Sequence, residues 1–97
     1  MSRIQLAPEV AEDFERIFNH LTEFDVADVA QRIGEIIQAI NVLEQNPFIG
    51  RLAVDENREL VIGKQSRGYI ALYRYIEEID TIFVLAIRGQ QEAGYAR

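Results

Sequence analysis

Two hydrophobic periods divide the chain. Val10, Phe14, Ile17, Phe18, Leu21 and Phe24 recur at helical spacing, which predicts a helix over Pro8–Phe24. Pro8 suits the first turn of that helix, where its missing N–H costs nothing. Glu9, Glu12 and Asp13 follow, on the side that the helix dipole favours. Asp25 then reads as an N-cap, with Asp28 three residues on in a box-like position. Val26, Val29, Ala30, Ile33, Ile36, Ile37, Ile40 and Leu43 mark a second amphipathic helix that ends before Asn46-Pro47. So short a gap between two amphipathic helices predicts an antiparallel hairpin. Gly34, beside the second stripe, fits either a close backbone approach or a tolerated surface position.

Elsewhere the period falls to two. Arg3-Ile4-Gln5-Leu6 alternates polar with apolar and predicts a short edge strand, and Glu59–Gly63 predicts a second strand. Tyr69–Ile76 and Thr81–Arg88 are β-branched and aromatic runs joined by the polar Glu77-Glu78-Ile79-Asp80, which predicts a hairpin at the centre of the fold. Alternation sets Arg74 with Ile70, Leu72 and Ile76, and sets Tyr69, Ala71, Tyr73 and Tyr75 on the opposite face. In the second run it sets Arg88 with Ile82, Val84 and Ala86, against Phe83, Leu85 and Ile87. Asn46–Arg51 is turn-rich, Leu52–Asn57 reads as loop, Gln65–Gly68 supplies a turn, and Gly89–Arg97 has no apolar stripe. The expected order is β-α-α-β-β-β. This is an α+β domain with an N-terminal edge strand, a two-helix hairpin and three antiparallel strands, spanning residues 1–97 as one unit.

Composition narrows the class. With 48% hydrophobic and 27% charged residues the chain is globular rather than disordered. No run approaches the roughly 18 apolar residues that span a bilayer, and the N-terminus lacks a signal-peptide pattern, so a cytoplasmic protein is expected. The absence of cysteine removes disulfides and thiolate sites. The net charge of −6 is uneven: four basic residues face eleven acids up to Asn57, whereas six basic residues face five acids from Arg58 onward. A globally acidic chain is a poor non-specific binder of nucleic acid, although a compact basic site on the sheet is compatible with it.

Generic catalytic motifs are missing: there is no phosphate loop, no zinc spacing and no Ser-His-Asp set, because His20 is the only histidine. His20, two positions from Phe18, reads as a surface residue, and no metal or cofactor is expected. What stands out is arginine and tyrosine on the strands: Arg58, Arg67, Tyr69, Tyr73, Arg74, Tyr75, Arg88 and Tyr95. Arginine can hold a phosphate bidentately and tyrosine can stack a base or move a proton, yet both are also favoured at protein interfaces. Tyr69 and Tyr73 are better explained by packing on the helices than by either role.

Four passages together resemble the RelE/ParE superfamily, the toxins of bacterial type II toxin–antitoxin (plasmid stabilisation) modules. They are Ala7-Pro8-Glu9-Val10-Ala11-Glu12-Asp13-Phe14, Asn46-Pro47-Phe48-Ile49-Gly50-Arg51, Gly68-Tyr69-Ile70-Ala71-Leu72-Tyr73-Arg74-Tyr75 and Ile82-Phe83-Val84-Leu85-Ala86-Ile87-Arg88. The resemblance implies the β-α-α-β-β-β fold and an antitoxin partner that wraps the toxin with an extended or helical segment, giving a hetero-oligomer. It also implies one of two growth-inhibiting activities. RelE-like members cut mRNA in the ribosome with several basic residues on the sheet and a tyrosine near the C-terminus, whereas ParE-like members poison DNA gyrase and lack that full set. Here Ile70 stands where the nucleases often place an arginine, Lys64 is the only lysine, and Gly89-Gln90-Gln91 replaces a basic or histidine-containing run. The expectation is therefore a ParE-like, non-enzymatic gyrase inhibitor, with Arg58, Arg67, Tyr73, Arg74, Arg88 and Tyr95 meeting target or antitoxin. The alternatives are a ribosome-dependent endoribonuclease using Arg74, Arg88 and Tyr95, or a non-toxic binding relative.

Overall fold

Seven elements appear in a computed structural model that describes residues 1–24, 27–63, 68–92 and 94–95. Strand β1 (Arg3–Leu6) leads into helices α1 (Pro8–Glu23) and α2 (Val29–Asn41), followed by β2 (Arg51–Leu52), β3 (Arg58–Ile62), β4 (Tyr69–Ile76) and β5 (Thr81–Gly89). The five strands form one mixed sheet in the order β1-β5-β4-β3-β2, with β1 parallel to β5 and every other pair antiparallel. The expected α+β order holds, with β1 at an edge and the β4–β5 hairpin at the centre. One strand is added. Arg51 and Leu52 pair with Glu59 and Arg58, inside a stretch whose sequence reads as turn and loop. Two residues are too few to show alternation.

The helices cover one face of the sheet. Val10, Ile17 and Leu21 of α1, Ile36 and Ile40 of α2, and Leu43 in the helical turn after α2 meet Ile62, Ala71, Tyr73, Ile82, Val84 and Ile87. Burial of each large side chain contributes roughly 1.5–3 kcal/mol, which holds the two layers together. The stripes are narrower than their sequence periodicity, since Phe18, Phe24 and Ile37 are exposed. Helix α2 starts at Val29, later than expected, after Asp28 in the left-handed region at φ 60. Asp28 is thus the N-cap position itself, while Asp25 and Val26 lie outside the described residues. Nothing lies within 4 Å of a Cβ built on Gly34, so the tolerated surface position applies.

Two features set the sheet's geometry. Asp80 ends the β4–β5 turn at φ 46, a left-handed conformation that Asp tolerates better than most residues. Its carbonyl accepts Arg3 N–H at 3.0 Å and its Oδ1 accepts both Ser2 Oγ and Tyr75 Oη at 2.6 Å, which ties β1 alongside β5. The second feature is a β-bulge. Leu72 pairs with Ala86 but Tyr73 pairs with Val84, so Leu85 is an extra residue that reverses the alternation of β5. Ile87 therefore faces the helices with Ile82 and Val84, and Arg88 faces away from them beside Ile70, which corrects the face expected for both.

Candidate functional site

The face turned away from the helices gathers a polar cluster around Tyr95. The bulge turns Arg88 to this side, and the pairing of β3 with β4 puts Glu59 on it opposite Leu72. Tyr95 Oη donates to Glu59 Oε2 at 2.7 Å, and the Arg88 guanidinium lies 5.1 Å from the centre of the Tyr95 ring. Glu59 Oε1 accepts Arg51 Nε at 3.0 Å, with Arg51 Nη2 also 3.0 Å away. Arg88 Nη1 donates to the carbonyls of Gly89 at 3.2 Å and Glu92 at 3.0 Å. Burial and the bond to Glu59 push the Tyr95 phenol well above its ordinary pKa. The same bond, helped by Arg51, holds the Glu59 carboxyl below the usual glutamate value. The cluster therefore stays in one protonation state, Glu59 ionised and Tyr95 neutral, through the physiological range.

A second network positions the first. Asp13 is 1% exposed on α1; its Oδ2 accepts Ile87 N–H at 2.9 Å and its Oδ1 accepts Arg16 Nη1 at 2.8 Å. Arg16 Nη2 reaches the Ile87 carbonyl and Glu92 Oε1, both at 3.1 Å, and the same Glu92 oxygen accepts Gly89 N–H at 2.9 Å. One acid on a helix thus fixes the end of β5 and the turn that flanks Arg88. Reading Asp13 as a dipole acid missed this role. Its spacing between Val10 and Ile17 places it within the apolar stripe, and that was the available signal.

The six residues expected to meet a partner separate. Among the described residues Arg88 and Tyr95 meet on the face turned away from the helices, where they join Glu59 and Arg51, and Arg58 and Tyr73 meet on the helix side. Arg58 points to the helix side, where Nη1 donates to the carbonyls of Phe48 at 3.1 Å and Gly50 at 2.7 Å and the guanidinium stacks on Phe48. Tyr73 is wholly buried; its hydroxyl accepts Gly50 N–H at 2.8 Å and donates to Pro47 carbonyl at 2.9 Å. Both residues pin the Pro47–Gly50 turn, and burial raises the Tyr73 pKa. Arg74 is exposed on the same face as Arg88, paired with Glu56 at 3.1 Å. Arg67 lies outside the described residues. His20 is exposed with its ring 4.8 Å from that of Phe24, as expected of a surface residue.

A family model, the ParE toxin of the type II toxin–antitoxin system parDE, matches residues 4–94. The chain belongs to the ParE toxin family. Its fold is that of a chain in the chromosomal ParDE TA system from P. aeruginosa, at TM-score 0.74 and 18% identity over 92% of this chain and 96% of that one. It is also that of a chain in the intact E. coli RelBE toxin–antitoxin complex, at TM-score 0.65 and 14% identity over 95% and 99%. No relative is found among curated proteins. In this ParE-family toxin Arg88, Glu59 and Arg51 of the strands meet Tyr95 on the sheet face turned away from the helices.

Proposed function

We propose that this ParE-family toxin halts bacterial growth in the cytoplasm by binding DNA gyrase, without cutting RNA, and that a cognate antitoxin neutralises it. The observation that supports this reading is the chemical occupation of Arg88 and Tyr95. A general acid or base works best when its pKa lies near the operating pH and it is free to reach substrate. Tyr95 instead donates to Glu59, which keeps its phenol protonated, and Arg88 is tied to two carbonyls. Among the described residues the sheet strands carry no histidine or lysine to take over proton transfer. The net charge of −6 also disfavours entry to an RNA-lined site. Nothing in this cluster prevents a protein contact, for which arginine and tyrosine are well suited.

A supercoiling assay with purified toxin and gyrase tests the proposal. Inhibition that grows with toxin concentration and is reversed by the antitoxin is expected, and Arg88→Ala weakens it. Undiminished supercoiling at high molar excess refutes the gyrase reading. Translation-dependent mRNA cleavage that disappears in Arg88→Ala would replace it with the nuclease reading.

A further inference from the structure

Register separates charge in a way that the net value of −6 conceals. Arg51 lies across from Glu59, Glu59 from Leu72, Leu72 from Ala86, Arg88 from Ile70 and Arg3 from Thr81, so these side chains share the face away from the helices. Among the described residues that face carries Arg3, Arg51, Arg74 and Arg88, whereas its strands supply one carboxylate, Glu59. The helices hold the opposite balance, with Glu9, Glu12, Asp13, Glu15, Glu23 and Glu35 against Arg16 and Arg32.

The same face has an apolar floor with an internal cover. Ile70 and Ala86 point away from the helices yet are only 5% and 2% exposed. A ring bonded to Glu59 on β3 and stacked on Arg88 of β5 spans the intervening β4, so Tyr95 lies over the Ile70–Leu72 stretch. The seat it fills has defined chemistry: an apolar floor, a cation over the ring and a carboxylate for the hydroxyl. That is a site for a tyrosine.

We propose that this face is the docking surface for a peptide segment of a protein partner bearing a tyrosine flanked by carboxylates, with Tyr95 holding the tyrosine's seat until that segment arrives. This rests on reading the chain as a toxin with a protein target. The surrounding arginines suit the flanking carboxylates, and exposed pairs such as Arg74–Glu56 contribute little and exchange readily. Glu59 decides between the two kinds of macromolecule that could meet a basic face. A carboxylate at the centre of the seat repels a phosphate but accepts a hydroxyl, which favours peptide over RNA.

The test uses fluorescence anisotropy with a labelled Asp-Glu-Tyr-Glu-Asp peptide and the full chain. Emptying the seat removes an internal competitor, so Tyr95→Ala binds the peptide about ten-fold more tightly than the parent. The gain vanishes when the peptide tyrosine is replaced by alanine, and again when Arg88→Ala is added. Tyr95→Phe, which keeps the ring and loses only the bond to Glu59, gives a smaller gain and serves if Tyr95→Ala fails to fold. Equal affinity of the parent and a folded Tyr95 variant overturns the proposal, and so does tighter binding of a labelled oligouridine than of the peptide. No gyrase enters this assay. Lost supercoiling inhibition with the peptide result intact strikes only the gyrase reading, and the converse strikes only the docking surface.

Discussion

Asp13→Ala removes the acceptor at the junction of α1, β5 and the turn after it. Two costs follow from the geometry. The Ile87 amide, bonded to Asp13 Oδ2 at 2.9 Å in a buried position, is left without that acceptor, which costs about 1–3 kcal/mol. Arg16 loses its 2.8 Å partner, but its side chain is 32% exposed and stays hydrated, so this adds at most about 1 kcal/mol. The total is about 1–4 kcal/mol, up to a large fraction of the stability of a domain this size. At about 4–8 °C per kcal/mol for a chain of this length, the melting temperature falls on the order of 4–32 °C. Urea unfolding followed by circular dichroism gives the free energy directly, and an unchanged slope shows that stability rather than compactness has moved. Asp13→Asn keeps a carbonyl for Ile87 while turning an amide toward Arg16, so it costs less, about 1–2 kcal/mol. An alanine variant within about 0.5 kcal/mol of the parent would refute the bridge. An asparagine variant as unstable as the alanine one would move the effect from the hydrogen bond to the charge.

Two further outcomes follow from other contacts. A Cβ on Gly50 would sit 2.7 Å from Tyr73 Cε1 and Oη and 2.9 Å from the Glu59 carbonyl, so Gly50→Ala costs about 2–3 kcal/mol, seen as a lowered melting temperature. A loss under about 0.5 kcal/mol would mean that the turn yields freely. The Glu59 pKa is depressed in the folded state, so its contribution to stability is complete above the ordinary value of 4.5 and fades as pH falls through the lower folded value. Glu59→Gln therefore shows a shallower loss of stability below that pH, measured by urea midpoints across an acid series, and an identical acid limb in parent and variant overturns the assignment.

Periodicity made the helices and the central hairpin legible, because an apolar stripe has few other uses. It failed where geometry depends on one residue. Nothing marks Leu85 as a bulge, with no glycine or proline beside it, and that one insertion carries Arg88 to the opposite face. Asp13 was hidden by its neighbours, since Glu9 and Glu12 make it look like one of a solvated series. Arg58 has the composition of a binding residue and the position of a clamp; only the carbonyls of Phe48 and Gly50 distinguish the two. Tyr95 stands out by residue type alone, and its contact with Glu59, 36 positions away, depends on strand register that no local pattern encodes.

The parallel pairing of β1 with β5 has a consequence for synthesis. The Ser2–Asp80 bond spans 78 positions, so the edge of the sheet closes only after the Thr81–Val84 segment has left the ribosome. Closing so long a loop is entropically costly and places this topology among the slower-folding small proteins. A nascent chain ending before Thr81 also lacks the floor on which α1 packs, and its exposed apolar stripe directs it to chaperones and proteases. Translation interrupted in this frame thus yields fragments for degradation rather than a folded domain.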